Sequence, residues 1–143
     1  MTTSQARNCA VALFVALLVG ACSSSNSGGA KGAYAAKVDP ICKDLQAKVG
    51  TDLGSDPAKQ AAAVDEALTK ITAISKPRDD SSQADLFIAA LQNTGLSLQD
   101  VDQSRIVNDQ TRAAKALAGA KANAKTAANA AKQYGMTTCA QVL

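Results

Sequence analysis

The sequence predicts an all-α protein, a four-helix antiparallel bundle. In four successive segments, apolar residues recur three and four positions apart, which is the spacing of one buried helix face. Long runs of alternating β-branched or aromatic residues, the signature of half-buried strands, are absent. The segments are joined by short stretches that contain Gly, Pro or Asp, and short connections favour antiparallel neighbours.

The first helix is expected from Ala33 to Val49, and Gly50 is its expected stop. Asp39 and Pro40 interrupt this segment, because proline has no N–H to donate to the helix. The alternative is a helix that begins here, with Asp39 as its N-cap and Pro40 in its first turn. The apolar face comprises Val38, Ile41, Cys42, Leu45 and Val49.

The second helix is expected to begin at Asp56 and Pro57, a capping residue followed by proline in the first turn. It should run to about Ser75, because the Lys76-Pro77 pair ends a helix. Its predicted buried positions are Ala61, Val64, Leu68, Ile71 and Ile74.

The third helix follows a polar turn over residues 78–82, with Gly95 as a weak point near its end. Its apolar positions are Ala84, Phe87, Ile88, Leu91 and Leu98. The last helix should begin at Asp102 or Ser104, capped by Asp100 and Asp102, and run to Gln133. Its buried stripe comprises Ile106, Ala113, Leu117, Ala120, Ala124, Ala128 and Ala131. Because alanine buries little area, we expect this helix to pack close to its neighbours.

The N-terminal segment has the features of an export signal. Arg7 supplies positive charge, an apolar run extends from Ala10 to Val19, and Gly20-Ala21 are the small residues that precede a cleavage site. About 18 apolar residues are needed to span a membrane, so this run is too short for a lasting anchor. The expectation is a signal peptide over residues 1–21 that is removed.

The residues around Cys22 resemble the lipobox of bacterial lipoprotein precursors: Leu18-Val19-Gly20-Ala21-Cys22 is followed by a stretch rich in Ser and Gly. The resemblance implies that Cys22 is acylated, and two or more acyl chains give stable membrane anchoring. The alternative is an ordinary secretory signal with a chance cysteine. Residues 22–32 are then a lipidated cysteine with a flexible linker, and residues 33–143 form the helical domain.

Cys42 and Cys139 are the two cysteines left for the exported domain. Of the four cysteines in the chain, the expected signal cleavage removes Cys9, and the lipobox resemblance implies that Cys22 carries lipid. An even remainder in an oxidising compartment predicts a disulfide, the alternative being two separate buried thiols. Chain entropy gives such a bond up to about 4–5 kcal/mol. Gly135 should end the last helix in the left-handed conformation, Met136 should fold back on the core, and Cys139 would arrive beside the first helix.

The composition argues against most catalytic chemistry. The chain has no histidine, no C-x-x-C pair and too few cysteines for a zinc site. The segment from Asp100 to Ser104 starts like a calcium loop, but Arg105 and Thr111 replace the Gly and Glu that such a loop requires. The net charge is only +3 and aromatics are 3% of the chain. We therefore expect no enzyme, no cofactor, no metal and no nucleic-acid partner.

Two features of the last helix have alternative interpretations. Lys121, Lys125 and Lys132 fall within about 40° of one another on a helical wheel. They could contact anionic headgroups or wall polymer, or be simply the solvated face. The alanine stripe could be core, or could line a groove that leaves room for an acyl chain.

Three short motifs together resemble the small Ala-rich helical lipoproteins of mycobacteria and related actinobacteria. They are Ile41-Cys42-Lys43-Asp44-Leu45, Lys76-Pro77 and a terminal Tyr134-Gly135-x-x-x-Cys139. The resemblance implies an envelope protein with Cys22 as lipid site and Cys42 bonded to Cys139, and it implies no specific role.

The leading functional expectation is a binding or interaction module, anchored to the outer face of the bacterial cell membrane, for an envelope protein partner. The alternative is a carrier of a lipid or another apolar small molecule. Two carboxylates facing each other across a concave site would favour an enzyme.

Overall fold

Amphipathic helices make up most of the part of the chain that the computed structural model describes, residues 29–78 and 81–141. Within these residues there are four α-helices, one terminal 3-10 turn and no strand, so the predicted all-α bundle closed by a disulfide is confirmed. Consecutive helices pack against each other, and the terminal turn packs against both α1 and α4. The elements are α1 (Gly29–Val49), α2 (Pro57–Thr72), α3 (Ser82–Ile106), α4 (Gln110–Tyr134) and the 3-10 turn Cys139–Gln141.

Helix α1 begins at Gly29, earlier than the expected Ala33, and it passes through Pro40 without a break. Proline cannot donate to the carbonyl of Ala36, four residues earlier. Ala36 is exposed, so water can satisfy that carbonyl. Asp39 is therefore an interior residue of α1 and does not cap its start.

Helix α2 starts as predicted. The Asp56 carboxylate accepts a hydrogen bond from the Lys59 N–H at 3.3 Å, and Pro57 occupies the first turn. The amide of Gln60, 2% exposed, organises the loop from α1. Its Oε1 accepts from the Gly54 N–H at 2.7 Å, and its Nε2 donates to the Val49 carbonyl at 2.8 Å. One buried side chain thus satisfies backbone groups at both ends of this connection.

Helix α3 continues through Gly95 to Ile106, so it does not end before Asp102 as expected, and Gly95 does not lie near its end. A Cβ at this position would lie 3.1 Å from Cγ1 of Val64 on α2. The glycine therefore permits a close approach of α3 to α2 and does not terminate the helix.

The turn between α3 and α4 lies later than expected. Asn108 has a positive φ of 59°, and the Asp109 carboxylate caps α4 by accepting from the Arg112 N–H at 2.9 Å. Asparagine tolerates the left-handed conformation better than most residues, and Asp is a preferred N-cap. Asn108-Asp109 is therefore the signal that ends one helix and starts the next.

Asp100 and Asp102 lie inside α3, so the expectation that they cap the last helix was wrong. Asp100 instead forms an ion pair with Arg112 at 2.5 Å across the α3–α4 pair. Ile106, expected in the buried stripe of the last helix, is 66% exposed at the end of α3.

The alanine stripe of α4 is buried. Ala120, Ala124 and Ala131 have no exposed surface, whereas Leu117 and Ala128 are half-buried. Because their side chains are small, α4 lies close to α3. The large side chains of the core come mainly from the other helices and the ends of the bundle: Phe87, Leu45, Ile71, Leu91, Leu98, Tyr134 and Met136.

Candidate functional site

The chain reverses at Gly135, as the sequence predicts. Gly135 takes a φ of 93°, and its N–H donates to the Ala131 carbonyl at 3.0 Å. The N–H of Met136 donates to the same carbonyl at 2.9 Å, and the Met136 side chain is fully buried. This reversal sends the C-terminal tail, residues 135–141, along α1.

A disulfide joins this tail to α1. Cys42 and Cys139 are each 1% exposed, their Cα atoms lie 5.0 Å apart, and they are 97 positions apart in the sequence. The predicted pairing is confirmed. The bond closes almost the whole described domain into a single loop.

Asp39 holds the tail beside the disulfide. Its Oδ1 accepts hydrogen bonds from the N–H groups of Thr138 (2.9 Å) and Cys139 (3.2 Å). Its Oδ2 accepts from both the N–H and the hydroxyl of Thr137, each at 3.1 Å. Two turns further along α1, the Gln46 amide donates to the Gln141 carbonyl at 3.3 Å. Sequence reasoning treated Asp39 as a local cap and missed this role, because its partners lie about a hundred positions away.

Tyr34 and Tyr134 close the end of the bundle at which α1 begins. Their ring centroids are 5.6 Å apart in an edge-to-face arrangement, and Lys31 Nζ lies 5.0 Å from the Tyr134 centroid. Tyr34 is 2% exposed, and its hydroxyl has no hydrogen-bond partner among the described residues. Burial, followed by the neighbouring Tyr134 and Asp85, raises the pKa of Tyr34 to about 12.

One flank of α4 is basic. Helix α4 contains no Asp or Glu, and the predicted line of Lys121, Lys125 and Lys132 is exposed. Lys132 also borders a surface hollow of about 330 Å³ formed with the tail. The remaining residues that line this hollow are Gly135, Met136, Thr137, Ala140 and Gln141.

A groove runs along the outer seam between α2 and α3. It consists of two adjoining hollows of about 350 and 80 Å³, which share Ala61, Asp65 and Gln99. Leu96, 54% exposed, lines one hollow. The other lining residues are Ala58, Ala62, Val64, Leu68, Gln92, Gly95, Asp102 and Gln103. The floor is thus made of small and aliphatic side chains, and amides and carboxylates form the rim.

The groove brings together two carboxylates that lie on different helices, Asp65 on α2 and Asp102 on α3. Asp65 is exposed and Asp102 is half-buried. Acid–base pairs in enzymes rely on environments that drive the two pKa values apart, such as an apolar pocket around one carboxyl group. The groove is open to solvent and is not an apolar pocket of that kind, and its carboxylates can pair with cationic groups of a partner.

Glu66 follows Asp65 in the sequence but is engaged elsewhere. It pairs with Lys48 of α1 at 2.5 Å and with Lys70 at 2.7 Å. Hydrogen bonds from Lys48 and then from Lys70 lower the pKa of Glu66 to about 2. Glu66 therefore links α2 to α1 through Lys48, whereas Asp65 lines the groove.

Other features predicted from the sequence fall outside the described residues: the signal peptide over residues 1–21, Cys22 and the linker residues 23–28. Within residues 29–78 and 81–141, no group of three or more metal-ligating side chains comes together. In the same residues, no helix is both long and apolar enough to cross a membrane.

Comparisons with known proteins identify no relative of this chain, so its candidate sites are interpreted from their geometry alone. No protein-family model matches the chain, and neither the curated proteins nor the solved structures yield a match.

Proposed function

We propose that this protein is a lipid-anchored module of the bacterial cell envelope that binds a protein partner through the α2–α3 groove. The groove itself carries the proposal, because it combines exposed apolar surface at Leu96 with the carboxylates of Asp65 and Asp102. A partner segment with small apolar and basic side chains fits this chemistry. Amide groups of Gln99 and Gln103 supply hydrogen-bonding capacity at the rim.

Attachment through Cys22 is the second part of the proposal. Its support is the lipobox-like sequence around Cys22 together with the disulfide, since disulfides form and persist in oxidising compartments outside the cytoplasm. Helix α1 starts at Gly29, so only residues 23–28 separate the acylated cysteine from the bundle.

The alternative function is a carrier for a lipid or an apolar small molecule. The feature that suggests it is the alanine stripe of α4, interpreted as the lining of a groove. Ala120, Ala127 and Ala131 are fully buried in contact with the rest of the core, and Ala124 is fully buried as well. Packing accounts for the stripe, which favours the interaction function over carriage.

The test is site-specific photocrosslinking in intact cells. A photoreactive residue replaces the exposed groove residue Ala62, and the control position is Thr69, exposed on α2 outside the groove lining. We expect one defined protein adduct from position 62 and none from position 69. Asp65→Lys with Asp102→Lys should abolish the adduct while leaving the thermal unfolding temperature nearly unchanged. Equal crosslinking from both positions, or an adduct that survives the charge reversal, would refute binding in the groove.

A further inference from the structure

We propose that the basic flank of α4 lies against anionic phospholipid headgroups, so that the bundle lies on its side on the membrane. The flank consists of Lys121, Lys125 and Lys132, extended on α1 by Lys43. This inference rests on the proposed acyl anchor, and it assigns the orientation in which that anchor holds the protein.

No acidic residue of α4 offsets the positive charge of this flank. All four lysines are exposed, and α4 has no acidic residue from Gln110 to Tyr134. From Lys132 to Lys121 the helix rises about 16 Å, so the three ammonium groups form a line and not a single point. Such a line can meet several headgroups of an anionic leaflet at once.

The nearby carboxylate on α1 is already engaged. Asp39 accepts hydrogen bonds from the N–H groups of Thr137, Thr138 and Cys139, so these tail donors occupy both of its oxygens. Lys43 follows Asp39 by one helical turn and Cys42 by one residue, which places it on the side of α1 next to the tail. The tail is therefore bordered by lysines on both helices.

The length of the linker limits how far the start of α1 can lie from the proposed acyl anchor at Cys22. Even fully extended, the chain from Cys22 to Gly29 spans no more than about 25 Å. Helix α1 starts at the end of the bundle where Lys31 lies over the Tyr134 ring, and Tyr134 is two residues from Lys132 on α4. The lysine line thus begins near the attachment point and runs away from it within reach of the same membrane surface.

The orientation is compatible with partner binding. Consecutive helices are neighbours, and the tail links α1 to α4. The seam between α2 and α3 therefore lies away from the side of the bundle where the tail bridges α1 and α4 and where the lysines lie. With the basic flank on the membrane, the groove that contains Asp65 and Asp102 faces away from it.

Lysine footprinting of the acylated protein tests the proposal. The protein is incorporated into vesicles of phosphatidylglycerol and phosphatidylcholine, or of phosphatidylcholine alone, and its lysines are acetylated and quantified by mass spectrometry. In anionic vesicles we expect several-fold lower modification of Lys121, Lys125 and Lys132 than of the exposed controls Lys59 and Lys115. Equal modification of both sets, or equal protection in both kinds of vesicle, would overturn the proposal.

Differences in intrinsic lysine reactivity are removed by comparing the acetylation of one lysine, Lys43, between variants of the protein. Replacing Lys121, Lys125 and Lys132 together by Gln should raise the modification of Lys43 to the level of Lys59. The matched control Lys115→Gln, on the same helix, should leave Lys43 protected. Continued protection of Lys43 in the triple variant would contradict the proposed contact.

The footprint also separates this inference from the proposed anchor. If the protein does not float with vesicles of either composition, the acyl anchor fails, and the orientation fails with it. If the protein floats but its lysines are modified equally, the anchor stands and the orientation is wrong. Protection that requires added soluble polyphosphate and not anionic vesicles would identify a polymer as the ligand and reject the membrane contact.

Discussion

The carboxylate of Asp39, in the middle of α1, accepts a hydrogen bond from the Thr138 N–H at 2.9 Å, close to the C-terminal end of the described chain. Further bonds to the same carboxylate come from Thr137 and Cys139. Asp39 therefore acts as a non-local cap: it satisfies the first N–H groups of a terminal turn that is too short to stabilise itself.

Replacing Asp39 by Ala should destabilise the domain by about 1.5–3 kcal/mol, because hydrogen bonds to a charged acceptor are lost and backbone donors are left without it. Asp44→Ala is the matched control, since Asp44 is an exposed carboxylate on the same helix, and it should cost less than about 0.5 kcal/mol. Urea denaturation followed by circular dichroism measures both. Similar losses for the two variants would contradict the capping role.

The disulfide makes a prediction about additivity. Cys42→Ser and Cys139→Ser should each lower the free energy of unfolding by about 2–5 kcal/mol, because each opens the same closed loop. The double variant should be no less stable than either single one, since only one bond exists to be lost. Additive losses in chemical denaturation would indicate that the two cysteines contribute separately.

The start of α4 can be checked with single-residue variants. Asp109→Ala should cost about 0.5–2 kcal/mol, because the Arg112 N–H loses its side-chain acceptor. Asp102→Ala should cost less than about 0.5 kcal/mol, because Asp102 lies within α3 and is not a cap. Thermal unfolding of the two variants would rank them. The opposite ranking would restore the earlier helix start that the sequence alone suggests.

Tyr34 should make the domain sensitive to alkaline pH. Its pKa is raised to about 12 in the fold, mainly by burial, so the folded state favours the neutral phenol. The stabilising contribution is therefore complete below the unfolded pKa of about 10 and is lost as the pH rises from 10 to 12. Unfolding curves across this range should show a decline in stability that is smaller in Tyr34→Phe. Because the Tyr34 hydroxyl has no hydrogen-bond partner among the described residues, the same variant should be as stable as the wild type near neutral pH. If the loss of stability between pH 10 and 12 is the same in Tyr34→Phe as in the wild type, groups other than Tyr34 cause it.

Cys22→Ala should move the protein from the membrane fraction to the soluble fraction if signal cleavage still occurs, or leave an uncleaved precursor if it does not. The physical reason is that the proposed acyl chains are lost with this cysteine, and stable attachment needs two or more of them. Intact-protein mass spectrometry and detergent partitioning distinguish these results. An unchanged mass and unchanged partitioning would rule out acylation at Cys22.

Much of the fold was predictable because its causes are local. Asp56-Pro57 predicts the start of α2, and Gly135 predicts the reversal after α4, since each acts through the backbone of its own segment. The cysteine count predicts the disulfide once Cys9 is assigned to the signal peptide and Cys22 to the lipid, because two cysteines then remain. What failed was the boundary between α3 and α4, where Asp100 and Asp102 are as suitable for capping as Asp109. The local signal that distinguishes Asp109 is Asn108 before it, which takes a positive φ. Gly95, in contrast, is explained by Val64 on another helix.

The candidate sites were less predictable for the same reason. The lysines of α4 share one helix, so their spacing reveals the line directly. Asp65 and Asp102 share a groove only because α2 and α3 pack against each other, and nothing in the spacing of the two residues indicates this. The partners of Asp39 were hidden by their distance along the chain.

Closure of the chain between Cys42 and Cys139 has a mechanical consequence. A pull applied at the start of α1 can unwind the helix only as far as Cys42, where the covalent link passes the load to the tail. Helices α2, α3 and α4 lie inside the closed loop and outside the path of that force. A load carried between the start of α1 and the tail therefore cannot unravel the chain beyond Cys42, and the helices that form the α2–α3 groove keep their packing.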